Sequence, residues 1–571
     1  MDELQYDIVI VGASLGGVAA ALRAGGMGAD VCVLEASTWV GGQYTAQGVC
    51  KPDENKYIDS VGSTALYRWF KHLVRAYYRS NYRLTAAAAA MPLLNPGGPY
   101  PGFAVEPKVA DRVLKQMLQG DAKVHLRLKN RVTSAETNGD SVTAVIATGP
   151  DGVATRYKAQ MFLDATDLGD LLPLAGVEFA IGAESRAQTG EPLANDAHPE
   201  WIQPITVPIA LERRPGGENH TIPKPANYDA LKAQQRYDLK DGYISKMFTP
   251  GIDLWSYRRF IAASNFHDPA FPCDLSMLNM GFNDYQGGTL PTGDPARDLQ
   301  VIEGARQATL GYLYWLQTEC PHDDNPAVRG YPELRPRPDV FDTPGGTAPQ
   351  PYIREGRRIL ALTTIVQQDV DTNEPRARNF GDACGIGYYG GLDIHANDAV
   401  GMPQSFSGVK PFQIPVGALV PRRVTNVLAA CKNLGVTHIT NGAYRLHPVE
   451  WNTGESAGAL AAFAIQHGTL PRNVATSADL LEQFQKTLLD VGVPVFWWTD
   501  VPYGDPLFAA VQMLGVRGIV SGYDDMRYGP HDVLEKADQV AIDERLGSPT
   551  DWPSDPITRG DAAQLIASQL A

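Results

Sequence analysis

The sequence predicts an α/β fold: a parallel sheet with helices, interrupted by an inserted β-rich α+β domain and followed by a small helical C-terminal domain. Three observations predict it. The first thirty-five residues read as strand, glycine turn, small-residue helix, strand and acid. The same strand, turn and small-residue helix pattern returns from Asn426. Between them lies a long stretch rich in Pro and Gly with weak periodicity. The boundaries that follow are 1–184 and 411–474 for the two parts of the sheet domain, 185–410 for the insert, and 475–571 for the tail.

The elements are justified in chain order. Tyr6-Asp-Ile-Val-Ile-Val11 is a short apolar run, as a buried parallel strand requires. Gly12 permits a tight turn, and Ser14 holds the middle place where backbone meets a pyrophosphate. Gly17 lets the following helix pack on the strand, and Gly16 is an additional small residue. Free N–H groups and the helix dipole make this helix start an anion site. Asp30–Glu35 is the second strand, and Glu35, with Ala36 after it, stands where an acid accepts ribose hydroxyls. This βαβ unit is therefore read as dinucleotide-binding. Helices are predicted near Thr64–Tyr78 and over Val109–Gln119, the latter stopped by Gly120. Lys123–Leu128, Arg131–Glu136 and Ser141–Ala147 read as strands, with Asn138-Gly139 as a hairpin turn. Gln160–Asp170 reads as a strand running into a turn.

Composition narrows the function classes. A net charge of −15 over 571 residues repels phosphate backbones and argues against nucleic acid as a partner. No apolar run approaches the ~18 residues of a membrane span. The N-terminus enters the first strand without a signal-peptide pattern, so a cytoplasmic location is expected. The six cysteines form no CxxC pair, so neither a metal site nor a redox dithiol is expected.

Val40-Gly-Gly-Gln-Tyr-Thr45 resembles the second glycine pair of FAD-binding proteins in the glutathione-reductase-like group. The resemblance implies FAD, with Gly42 and Gln43 beside it. Further segments are Asn95-Pro-Gly-Gly, Leu163-Asp-Ala-Thr-Asp-Leu-Gly-Asp170, Asn279–Tyr285, Tyr352–Arg358 and Asn426–Ala462. Together they resemble the FAD-dependent oxidoreductase family, whose members place a β-rich substrate domain inside a Rossmann-like FAD-binding domain. The likeness implies that Val132 meets the adenine, that Ala165 and Thr166 pass the cofactor, and that Asn433 belongs to its site. It also implies that a helix starting at Gly454, with Ser456 and Ala457, points its N-terminus at the flavin. Such small residues also serve ordinary close helix packing. Asn55 stands where the family usually carries histidine.

Four polar residues near these motifs are the candidate catalytic groups. His447 is the first choice for general base, His395 the second as base or hydrogen-bond donor, Arg445 would bind a substrate oxygen, and Glu450 completes the group. His438 is expected to support the site. Arg354 could bind a substrate carboxylate, whereas Arg357 and Arg358 are read as salt-bridged. Gly385-Ile-Gly-Tyr-Tyr-Gly390 matches a dinucleotide fingerprint literally, but no apolar strand precedes it and no small-residue helix follows. Electrons should therefore come from a small-molecule substrate rather than a bound nicotinamide.

The expected reaction is a dehydrogenase or oxidase step, with hydride passing from an alcohol or activated C–H to FAD, then to O2 or another acceptor. The alternatives are a monooxygenase fed reduced FAD and a wall-associated binding protein with a vestigial site. The second alternative arises because Trp498–Ala563 resembles one S-layer homology module. A single copy favours a structural or oligomerising role, hence an expected homo-oligomer. Thr558 should cap a last helix whose Ala562, Leu565, Ile566 and Leu570 share a face.

Overall fold

The computed structural model describes residues 2–99, 102–214, 216–235, 237–239, 244–249 and 253–570. Its centre is a five-stranded, wholly parallel sheet. The strands are β1 (Ile8–Val11), β2 (Val31–Glu35), β3 (Val124–Leu128), β4 (Met161–Asp164) and β5 (Val427–Ala429), in the order β5-β4-β1-β2-β3. Ile8, Val9 and Ile10 are wholly buried, as expected for a strand covered on both faces. Helix α1 (Leu15–Gly26) follows β1, and the Ser14 hydroxyl accepts from Gly17 N–H as its N-cap.

Helix α2 (His447–Gln466) lies against α1. The two backbones nearly touch: a Cβ on Gly454 would fall 2.0 Å from the Gly16 carbonyl oxygen, and one on Gly458 would fall 2.2 Å from that of Ala20. At the far end of α1, Arg23 pairs with Glu455 at 2.5 Å and donates to the Val491 carbonyl at 3.2 Å. That carbonyl belongs to the tail.

The predicted hairpin is present. Arg131–Asn138 and Ser141–Thr148 pair antiparallel around Gly139, whose φ of +58° suits glycine. With Ala154–Lys158 and Asp2–Gln5 they form a second sheet. Within 185–410, Ile209–Arg213, Arg259–Ile261, Leu275–Leu278 and Leu334–Pro336 form an antiparallel sheet beside the helix Pro295–Thr318. The literal fingerprint at Gly385 begins inside the strand Ala383–Gly387, which pairs antiparallel with Phe412–Pro415 and makes no nucleotide turn.

The tail contributes helices Ala478–Asp490, Phe508–Val516, Lys536–Leu546 and Arg559–Leu570. Val511, Leu514 and Ile566 are buried in one apolar cluster with the sheet domain. The Gln485 amide donates to the Gly381 and Ala383 carbonyls, and Gln413 Nε2 donates to Val495 O. Thr558 accepts from Asp561 N–H as predicted. Leu570 departs from prediction: residues 568–570 are all exposed, so the last turn has no layer to pack against. No helix among the described residues is long and apolar enough to cross a membrane.

Candidate active site

A cleft of about 280 Å³ opens at the carboxyl ends of the parallel strands, where ligands bind open α/β sheets. Gly12, Ser14, Glu35, Ala36, Gly42, Val132, Ala165 and Thr166 all line it. Gly12 has φ +95°, and a Cβ there would lie 2.5 Å from the Ala165 carbonyl oxygen. Only glycine lets this turn meet the end of β4 so closely. The Glu35 carboxylate accepts from Ala13 N–H at 2.9 Å and from Ser37 N–H at 2.7 Å, which holds it at the cleft wall.

Several residues expected at the cofactor lie behind the cleft. Gly16 and Gly17 are buried at the start of α1, where added Cβ atoms would strike the Ala430 and Gly12 carbonyls. Gly454, Ser456 and Ala457 require a correction. Their helix begins at His447, with Pro448 in its first turn, so they sit in its interior. Gly454 packs on Gly16, the Ser456 hydroxyl bonds the Cys384 carbonyl, and Ala457 is wholly buried. The small side chains here serve helix-on-helix contact. Asn433 is also structural in placement: it accepts from Cys431 N–H and donates to Asp164 O, tying the end of β5 to β4.

The inner end of the cleft is strongly polar. Gln47 and Asp167 line it and bond each other at 2.6 Å. Lys432, 2% exposed, pairs its ammonium with Asp167 and with Glu450 at 3.4 Å. Burial disfavours its charge, but Asp167, Cys431 and Glu450 outweigh that, and its pKa lies above the ordinary lysine value. Glu450, expected among the catalytic groups, is wholly buried and turned toward α1, where it accepts from Gly16 N–H at 3.2 Å and from the Gln43 amide. Asp167, Cys431 and Glu450 bring ligand atoms within 4.8 Å of one another, but the Lys432 ammonium already bridges the two carboxylates.

Gln43 links this floor to the start of α2 by donating to the Arg445 carbonyl at 3.0 Å. His447 Nε2 lies 3.0 Å from the Val49 carbonyl, which can only accept, so Nε2 carries the proton and Nδ1 is the free acceptor. Burial pushes the His447 pKa down to about 3, and Arg258, Lys432 and Arg445 add to the effect against the Val49 bond. Three buried atoms have no partner here: His447 Nδ1, Gln43 Oε1 and Arg445 Nε. Arg445 is otherwise held by Tyr352 OH at 2.8 Å and by Asp393 at 3.1 Å.

His395 lies beyond Arg445, between two carboxylates: Asp284 at 2.5 Å and Asp393 at 3.3 Å. Burial and Arg354 oppose its proton, but Asp393 and Asp284 prevail and raise its pKa. With a carboxylate on each ring nitrogen it is not a free base. Arg354 is committed to Asp284 at 2.9 Å, Arg357 to Asp170 and Arg358 to Glu184 and Glu355. His438 Nδ1 meets Glu355 at 3.0 Å. Sequence reasoning missed Lys432, Asp167, Gln47, Asp284, Asp393 and Tyr352. Asp167 and Lys432 had a signal: each follows the carboxyl end of a parallel strand, β4 or β5.

The sheet, glycine turn, ribose acid and second glycine pair define a dinucleotide-binding protein of the FAD type. The model of the FAD dependent oxidoreductase family matches residues 7–488, and the chain belongs to that family. It is an enzyme, and its cofactor is FAD. The unpartnered Gln43 and His447 atoms and the Gly12 cradle fit such a cofactor. No curated protein matches the chain. Among solved structures it is similar to a flavin-dependent brominase, Bmp2, at 15% identity over 38% of this chain and 48% of that one, TM-score 0.25. The match thus spans about half of the brominase. OxyS anhydrotetracycline hydroxylase from Streptomyces rimosus is 13% identical over 99% and 76%, TM-score 0.32. A geranylgeranyl bacteriochlorophyll reductase-like protein from Thermoplasma acidophilum is 10% identical over 95% and 97%, TM-score 0.32. None of these likenesses bears on the reaction.

Proposed function

We propose that this enzyme oxidises an alcohol or an activated C–H of a small organic substrate, with residues 185–410 supplying much of the substrate side. The supporting observation is a neutral buried His447 with unpartnered Nδ1, two positions after Arg445 with unpartnered Nε, whose carbonyl accepts from the amide of Gln43, the neighbour of cleft-lining Gly42. Bound FAD supplies a two-electron acceptor for the substrate's hydride.

The chain's own groups would do the rest. His447 Nδ1 accepts the substrate hydroxyl proton's hydrogen bond. Its low basicity means that full proton transfer depends on negative charge developing nearby, where Arg258, Lys432 and Arg445 stabilise it. Arg445, steadied by Asp393 and Tyr352, orients the substrate oxygen. His395, held by Asp284 and Asp393, fixes the Asp393 carboxylate that in turn holds Arg445.

The test is anaerobic mixing with a panel of alcohols and other substrates bearing activated C–H bonds, followed by bleaching of the oxidised flavin spectrum. His447→Gln should keep the spectrum and slow bleaching by roughly 10²-fold or more, the range for a lost general base. An unchanged rate removes His447 from the mechanism. If no substrate bleaches the flavin, while the chemically reduced enzyme forms an oxygen adduct, the monooxygenase reading replaces this one.

A further inference from the structure

The cleft floor carries negative charge in an awkward place. Glu450 is wholly buried, and its carboxylate takes Gly16 N–H, one of the free donors at the start of α1. A dinucleotide's diphosphate is drawn to that same helix end. Asp167 adds a second carboxylate on the cleft wall. Two carboxylates beside a diphosphate would repel it, most strongly away from water. Lys432 touches both: its ammonium pairs with Asp167 and with Glu450. Its side chain is 1% exposed, against 0% for Glu450 and 19% for Asp167, so salt screens it little.

We propose that Lys432 is a cofactor-positioning residue, whose ammonium offsets the Glu450 and Asp167 carboxylates so that the diphosphate of FAD can settle at the N-terminus of α1. Glu450 then has a defined role. It occupies the Gly16 donor and sets the charge that Lys432 must balance. The pair is reached from opposite ends of the chain's long insert, since Lys432 bonds Asp167 across 265 positions. The inference rests on the cofactor and not on the proposed substrate reaction.

The experiment titrates FAD into protein stripped of flavin and reads the dissociation constant from flavin fluorescence, with circular dichroism as the folding check. Lys432→Met should weaken FAD at least a hundredfold. Glu450→Gln keeps an oxygen for Gly16 N–H but loses the charge, and should bind FAD as tightly as the natural chain or tighter. The double variant should recover to within tenfold of the natural chain. ADP, which carries the diphosphate, should follow FAD, whereas adenosine should bind Lys432→Met normally. An unchanged constant for Lys432→Met overturns the proposal. So does a double variant as weak as the single one, because that is what lost packing of the lysine stem would give. If Lys432→Met does not fold, Glu450→Gln decides alone: FAD weakened more than tenfold overturns the proposal, and equal or tighter binding supports it.

Discussion

Gly454→Ala measures how much the site depends on two helices touching. A Cβ at Gly454 would fall 2.0 Å from the Gly16 carbonyl oxygen and 2.4 Å from its Cα, where real contacts essentially never fall below 3.0 Å. The helices must therefore separate by at least 3.0 − 2.0 = 1.0 Å. Both partners are backbone on packed helices, so no flexible side chain can yield. Overpacking of this kind costs about 1–3 kcal/mol. Replacing a helical glycine by alanine returns about 1 kcal/mol. The net expectation is a loss of up to about 2 kcal/mol in urea unfolding. It should come with weaker FAD binding, because Ser14, the cleft-lining N-cap of α1, moves with the helix. Gly26→Ala is the control: it stands at the end of α1, where an added Cβ would meet nothing within 4 Å, so it should be neutral or slightly stabilising. If Gly454→Ala matches the natural chain in both stability and FAD affinity, the close approach of α1 and α2 is not what holds the site.

Four other outcomes are expected. His447 is already neutral across the working range, so the anaerobic reduction rate should show no inflection at the ordinary imidazole pKa; an inflection lost in His447→Gln would contradict this. In the unfolded chain His447 takes a proton below about 6.5, and in the folded chain only near 3, so stability from this group is present above 6.5 and falls as pH drops; unfolding of the natural chain should lose about 1.4 kcal/mol per pH unit relative to His447→Gln over that window. Cys50 is buried and burial pushes its thiol pKa up, so acid precipitation should leave FAD in the supernatant, and flavin in the washed pellet would indicate a covalent link. Truncation after Arg472 removes the groups that meet Gly381, Ala383 and Gln413, and exposes apolar surface at about 25 cal/mol per Å²; aggregation or a lower Tm is expected, and a fully stable, active truncated enzyme would refute it.

What was legible in the sequence was local. Gly12, Ser14 and Glu35 announce a turn, a cap and an acid within one βαβ unit, and each lines the cleft. Val132, Ala165 and Thr166, read from the resemblance, line it too. The Gly454 segment was misplaced because small residues accommodate a flat ring and a crossing helix equally well, and only the start of α2 at His447 separates the two. Glu450 looked catalytic from its neighbours in sequence, but its partners are Gly16, Gln43 and Lys432. The balance around His395 was equally hidden, since Asp284 lies 111 positions away. Long-range charge pairing leaves no periodicity to read.

Arg23 ties the tail to the helix pair behind the cleft. It grips Glu455 of α2 and the Val491 carbonyl with one guanidinium, at the opposite end of the helix whose N-cap Ser14 lines the cleft. The two attachments therefore act on one rigid body. By thermodynamic reciprocity, any factor by which a docked tail tightens FAD is the factor by which FAD tightens the tail. Any such coupling makes flavin release a readout of a nick near Val491.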